Sequence, residues 1–403
     1  MVPLRESGPN TRLESREDGR VTFTQLSVVC LVAVAGPLLA LPRAWHLPVV
    51  LGELVAGMVL GRTGFAYVDA LDPTFSFLAE IGFALVMFVA GTHVPVRAPA
   101  LRSALTTGVV RAVGVGVVAA GLGVGLAKVF DVPHAPVYAV LMASSSAALV
   151  LPIIDSLGLG GEQVLHLLPQ IAIADAVAIV ALPLAIDPDH ALRAAGGAAG
   201  VIACAAVGFL ALHHFERTGT RSRVHDISED REFALELRIQ LTILFALAGL
   251  AVALHVSVML AGFAFGLAVS AVGEPRRLAR QLFALTEGFL GPVFFVWLGA
   301  TLDLRALGAE PKLIGLGLGL GVGAVLAHTA ARMLGQPLSL TMLASAQLGV
   351  PVAAATVGTQ LGVLLPGEAS ALMLGAMVTI AAAVAGGAWT ARGDRLPAVG
   401  SAA

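Results

Sequence analysis

Apolar residues run along this chain in long blocks, not in the alternating or one-faced patterns of soluble strands and helices. Thirteen blocks, separated by short polar or proline-bearing breaks, begin near residues 22, 47, 74, 103, 135, 163, 191, 235, 256, 281, 312, 338 and 367. About 20 apolar residues carry a helix across a hydrocarbon core of about 30 Å. The pattern therefore predicts thirteen transmembrane helices, or twelve if the break at His255 is not a boundary. The fold class that follows is an all-α polytopic membrane protein.

Two of the blocks read as broken. The fifth contains Ser144-Ser145-Ser146 followed by Pro152, and the twelfth contains Gln347, Gly349 and Pro351. Paired interruptions in corresponding parts of two halves point to a transport site, where unwound backbone lines a cavity at mid-depth. The serine hydroxyls have a second reading, as hydrogen-bond donors to a neighbouring helix.

The sixth block holds a single acid at its centre, Asp175 in I-A-I-A-D-A-V-A-I-V-A-L-P (171–183). In a helix from Gln163 to Ile186, it lies roughly 18 Å along the axis, near the membrane midplane. A charge there costs about 2.5–3.5 kcal/mol even on insertion scales. Asp175 is therefore the first functional candidate. The alternative is a structural acid that caps or pairs with a broken helix nearby.

Composition agrees with the pattern. Of 403 residues 57% are hydrophobic and 12% charged, about half the charge of a soluble domain. A net charge of −2 with no basic run gives no sign of nucleic-acid binding. Cys30 and Cys204 both fall inside blocks, so neither a disulfide framework nor a metal site is readable. The 46 glycines suit close helix packing in lipid, and high-GC codon usage would enrich them too.

Residues 1–21 read as a disordered, charge-balanced tail, and the block after it as an uncleaved first span. Residues 22–390 form the transmembrane unit, 391–403 a short tail. Fourteen arginines, from Arg43 to Arg395, lie in the 42–46, 94–102, 213–238, 273–280 and 332–337 segments and the C-terminal end. The opposite loops hold Arg62, Lys128, Arg193, Arg305 and Lys312, beside four arginines in the tail. This bias places the N-terminus outside and the C-terminus in the cytoplasm of a cell membrane. The 213–238 loop would then be a cytoplasmic link between two halves.

Three segments carry a family resemblance. L-P-V-V-L-G-E-L-V-A-G-M-V-L-G (47–61) resembles a signature of the monovalent cation:proton antiporters, the family of bacterial sodium/proton and potassium-efflux antiporters. L-A-E-I-G-F-A-L-V-M-F-V-A-G (78–91) is similar to its third helix, and G-P-V-F-F-V-W-L-G-A-T-L-D-L (291–304) to a later segment. The resemblance implies an inverted-repeat fold with two broken helices crossing at the ion site, a mobile core against a dimerisation domain, and a homodimer.

Carried over by position, Asp175 matches the family's ion- and proton-binding aspartate, and Ser144, Ser145 and Ser146 its Thr/Ser-bearing break. Three positions depart. Ala174 stands where a polar residue usually precedes the aspartate, Gly323 where a buried lysine is common, and His93 where an acid is frequent. Joint loss of an acid and a base is physically coherent, because losing one partner alone strands a buried charge. His328 and Gln347 are accessory candidates. An imidazole ordinarily titrates near neutrality and can relay protons, or His328 bonds to a backbone carbonyl.

These readings converge on a secondary antiporter that exchanges Na⁺ or K⁺ for H⁺ by alternating access. Asp175 would be the shared carboxylate, and hydroxyl and carbonyl oxygens the hard ligands of the transported cation. No enzyme chemistry and no cofactor is expected. With about thirteen residues after the last span, no attached nucleotide-sensing domain is expected either. A passive cation or proton pathway, or a non-transporting membrane module on the same fold, are the alternatives.

Overall fold

The computed structural model describes residues 22–41, 49–93, 99–186, 188, 191–218, 233–254, 256–273, 276–302 and 304–393. Expectations for the 1–21 tail, the 394–403 end, His255 and the side chain of His93 lie outside the described residues. So does the centre of the 213–238 loop.

Among the described residues every regular element is helical. The first half runs α1 (Phe23–Ala33), α2 (Ala35–Ala40), α3 (Val49–Leu60), α4 (Pro73–His93), α5 (Pro99–Phe130), α6 (Ala135–Ala143), α7 (Ala147–Leu157) and α8 (Glu162–Ile186). A long helix, α9 (Ala191–Arg217), leads to the second half. There α10 (Leu235–Ala253), α11 (Val258–Val272) and α12 (Arg276–Leu285) follow. A π turn (Thr286–Leu290) joins α12 to α13 (Gly291–Thr301), and α14 (Leu304–Ala309) precedes α15 (Pro311–Thr329). Last come a 3₁₀ turn (Ala330–Leu334), α16 (Leu338–Ala344), α17 (Gly349–Gln360) and α18 (Glu368–Gly393).

Among the described residues nine helical segments are long and apolar enough to cross a membrane, and four shorter apolar ones accompany them, thirteen in all. The expected block starts agree with these to within a few residues. The helix starts have local causes. Thr22 and Gln25 form a reciprocal capping box (3.2 and 3.0 Å). Asp72 accepts from the Phe75 N–H at 2.8 Å, just before Pro73. Ser257 caps α11 through the Met259 N–H at 3.2 Å. That cap starts a new helix near the position expected at 256, so the eighth and ninth blocks are separate helices.

The two halves repeat each other with inverted packing. The second span, α3, packs on the tenth, α13; the third, α4, packs on the ninth, α11. Moving each member seven spans along the chain exchanges these two pairs. Both contacts close on facing glycines. A Cβ on Gly57 would fall 2.1 Å from the Val296 carbonyl oxygen, and one on Gly299 2.1 Å from that of Leu54. Gly91 and Gly266 meet in the same way, 2.5 Å from the Phe263 and 2.2 Å from the Phe88 carbonyl oxygens. Only a residue without a Cβ permits this approach, and in lipid such close packing replaces the hydrophobic drive between helices. Around the fifth and sixth spans, α5 packs on α8 as α15 packs on α18.

Candidate ion site at the crossed helix breaks

The fifth span breaks where three serines follow one another. Helix α6 stops at Ala143, and Ser144 turns to extended backbone (φ −71°, ψ 155°). Its hydroxyl donates to the Leu141 carbonyl at 2.7 Å, which competes with continued helix. The chain becomes helical again at Ala147. Pro152 lies inside α7, so it does not mark the break.

The twelfth span breaks earlier than its proline suggests. Helix α16 ends at Ala344, and Leu348 takes φ −145°, ψ −65° before α17 begins at Gly349. Pro351 sits in the first turn of α17, where an absent N–H leaves no bond unmade. The four residues Ser345–Leu348 are the interruption.

The two breaks cross and hold each other. Ser145 Oγ donates to the Ala344 carbonyl at 2.7 Å, and Gln347 Nε2 to the Leu141 carbonyl at 2.6 Å. Each bond ties a side chain of one break to a carbonyl in the last turn of the helix that ends at the other. The Gln347 N–H reaches Thr379 Oγ1 at 3.2 Å, which ties the second break to α18. At the far end of α6, Glu368 of α18 accepts from Tyr138 Oη at 2.5 Å and from the Leu365 N–H at 2.8 Å. His134 Nδ1 lies 2.7 Å from the same carboxylate.

Asp175 faces the first break. It is 4% exposed, and its Oδ2 accepts from the Ala147 N–H at 3.0 Å. That N–H is the first of α7, so the carboxylate sits at a helix N-terminus, where the backbone dipole carries about half a positive charge. Ser144, Ser145 and Ser146 are all buried within the same turn. The hydroxyls of Ser144 and Ser145 spend their protons on carbonyls, and their oxygens keep lone pairs that can ligate a cation. One carboxylate thus bonds to the end of an unwound stretch that carries three buried hydroxyls, and oxygens of this kind suit a hard cation.

His328 is also buried, and its Nδ1 donates to the Ala324 carbonyl at 2.9 Å, one turn back in its own helix. Of its two sequence readings, the structure contains the backbone bond. A Cβ on Gly323 would fall 2.6 Å from the Met142 sulfur. A thioether therefore fills the space beside Gly323, and Ala174 is buried next to Asp175.

Sequence reasoning passed over several buried charged or polar groups. Glu53 is 4% exposed on α3, and Glu80 is half-buried on α4. Both stand inside the quoted motifs, and a carboxylate within a span was the signal that could have singled them out. Arg111 is buried on α5, with its guanidinium donating to the Leu334 carbonyl at 3.2 Å. A cavity of about 570 Å³ opens between the halves and is lined by Glu80, Pro183, Arg193, Ser257, Trp297 and Thr356 among others. Pro183 is eight residues along α8 from Asp175, about 12 Å of helix rise.

Comparison with known proteins accords with this arrangement. The transmembrane sodium/hydrogen exchanger family matches residues 29–391. YjbQ of Bacillus subtilis, by name a candidate Na⁺/H⁺ antiporter, is 24% identical over 379 residues, covering 89% of this chain and 61% of its own. The Na⁺/H⁺ antiporter NhaS5 of Synechocystis is 27% identical over 360 residues, covering 84% of this chain and 49% of its own. The chain thus spans about half to three-fifths of the length of these curated relatives. The solved structure of the sodium proton antiporter MjNhaP1 from Methanocaldococcus jannaschii at pH 8 superposes with a TM-score of 0.66 at 16% identity. That match covers 91% of this chain and 96% of the other, and shows a shared fold.

Proposed function

The chain belongs to the sodium/hydrogen exchanger family, and from that premise we propose that it exchanges a monovalent cation for protons by alternating access, with Asp175 as the shared carboxylate. The observation that carries this reading is the carboxylate itself, 4% exposed and held by the first N–H of α7 at 3.0 Å. One N–H and a helix dipole offset only part of a buried negative charge. The remainder calls for a proton or a cation, and one site cannot hold both. Either occupant neutralises the acid and lets the site pass an apolar barrier, whereas the bare anion carries a penalty of several kcal/mol.

For a cation, Asp175 with the hydroxyl oxygens of Ser144, Ser145 and Ser146 supplies hard ligands that suit Na⁺ or K⁺. Gln347 acts by bracing the second break against the first, and His328 by bracing its own helix. Na⁺ is the first choice, because the matched relatives are named for Na⁺/H⁺ antiport; K⁺ is the second. With one titrating carboxylate per site, exchange of one proton per cation would be electroneutral. The arginine bias supports an outside N-terminus and a cytoplasmic C-terminus in the cell membrane. The functional unit proposed is a homodimer.

The test is exchange in everted vesicles, with internal pH followed on addition of Na⁺, K⁺ or Li⁺. Cation-dependent pH change in the wild type, lost in Asp175→Asn, is the expected outcome. A second reading, a passive cation or proton pathway, has one observation in its favour: Ala174 and the Met142-filled space at Gly323 leave the site without an acid–base pair. Flux without a counter-gradient and without trans-stimulation would favour it.

A further inference from the structure

The cavity of about 570 Å³ combines two features that the exchange site does not use. Its wall is aromatic and fixed. Phe83 stacks on Phe294 at 4.8 Å between ring centroids, Phe294 lies 6.4 Å from Trp297, and Trp297 Nε1 donates to the Ala70 carbonyl at 2.9 Å. Into the same space, one turn before Phe83 on α4, comes the half-buried carboxylate of Glu80. No ion pair reaches that carboxylate among the described residues. Among the described residues, the charged side chains that line the cavity are Glu80 and the exposed Arg193.

A carboxylate inside a cleft with low-dielectric walls concentrates cations, because the walls focus its field instead of screening it. The aromatic faces add a weaker attraction for the same charge. The cavity lies on the side where α8 ends and α9 begins, and it touches α17 at Val352, Ala353 and Thr356. Among the described residues it therefore reaches α8, which carries Asp175, and α17, which follows the second break, from the ends that share one membrane face.

We propose that Glu80 is a staging site for the monovalent cation, one that raises its local concentration on the cavity's face of the membrane before it reaches Asp175. This rests on the exchanger reading above. Arg193, at the rim, opposes it. The consequence is sided: Glu80 sets the apparent affinity for the cation on one face and leaves the other face to Asp175 and its neighbours.

The experiment measures the half-saturating Na⁺ concentration on each face, with right-side-out and everted vesicles carrying the full chain. Glu80→Gln is expected to raise it about tenfold on the cavity's face and by less than about twofold on the opposite face. Arg193→Gln, at an exposed position that folding tolerates, is expected to lower it on the same face. Both shifts should shrink as choline chloride is added, because a half-exposed charge is screened. Equal shifts on both faces, no shift for either variant, or loss of exchange from both faces in a folded Glu80→Gln protein would each overturn the proposal. Failure of the exchanger reading looks different: wild-type vesicles without exchange, or an active Asp175→Asn variant.

Discussion

The Asp175 carboxylate meets the backbone N–H of Ala147 at 3.0 Å, so an acid on the sixth span is aimed at the first turn after a break in the fifth. Neither residue makes the site alone. Without the Ser144–Ser146 interruption the N–H of Ala147 would be spent inside a continuous helix. Without Asp175 the new helix start would face an apolar neighbour.

The crossing of the two breaks can be tested through stability. Ser145→Ala removes the hydroxyl donor from the Ala344 carbonyl, and Gln347→Leu removes the amide donor from Leu141. Ser145→Ala is expected to cost about 1–3 kcal/mol, the usual penalty of an orphaned buried polar group, and Gln347→Leu less, because the Leu141 carbonyl keeps the Ser144 hydroxyl and N–H. Ser144→Ala should likewise cost less, because the Leu141 carbonyl still accepts from Gln347 Nε2 and from the Ser144 N–H. Thermal unfolding of the purified variants in detergent ranks the three. The reverse order would contradict the bracing role.

Ala174→Asp is expected to impair or destabilise the protein. The added acid would be buried next to Asp175, and the space beside Gly323, where the family's base would stand, is filled by the Met142 thioether. An unpaired buried charge costs several kcal/mol. A fully active, equally stable Ala174→Asp protein would show that the correspondence between Gly323 and the family's lysine is misplaced.

Much of this was legible in the letters, for a physical reason. A hydrocarbon core of fixed thickness sets the length of every apolar run, which is why Val49, Pro73, Leu235 and Glu368 open helices near the expected positions. Three successive serines likewise gave the first break. The second break reads across Gln347, Gly349 and Pro351: Gln347 lies inside the interruption, whereas Gly349 and Pro351 fall in the first turn of α17, because a proline reads as a breaker in sequence but is harmless there. Glu80 was not singled out. Its surroundings are built by helices from both halves, and no local pattern encodes that cavity. The same holds for Tyr138 and Glu368, hydrogen-bonded across 230 residues of chain.

The glycine contacts give the packing a direct test. In Gly57→Leu the new side chain starts from a Cβ only 2.1 Å from the Val296 carbonyl oxygen, with backbone that cannot move aside cheaply. Overpacking typically costs about 1–3 kcal/mol, and more where backbone must shift. A folded yield in detergent far below that of Gly249→Leu, where no atom lies within 4 Å of the added Cβ, is the expected result. Equal yields would argue against the α3–α13 contact.

Competition at one carboxylate fixes the sign of the pH dependence. If proton and cation displace each other at Asp175, acidifying the cation's side raises the half-saturating Na⁺ concentration and leaves the maximal rate, approached at saturating Na⁺, unchanged. Initial-rate measurements across pH in proteoliposomes check this. A fall in maximal rate at constant half-saturation would mean separate sites for the two ions.

The most direct measurement is Na⁺-dependent pH change in vesicles carrying Asp175→Asn beside the wild type, at matched amounts of folded protein. The amide keeps the size of the side chain and an oxygen that can accept from the Ala147 N–H, while removing the charge that proton and cation share. The account predicts exchange in the wild type and none above background in the variant. Exchange by Asp175→Asn at wild-type rate would contradict it.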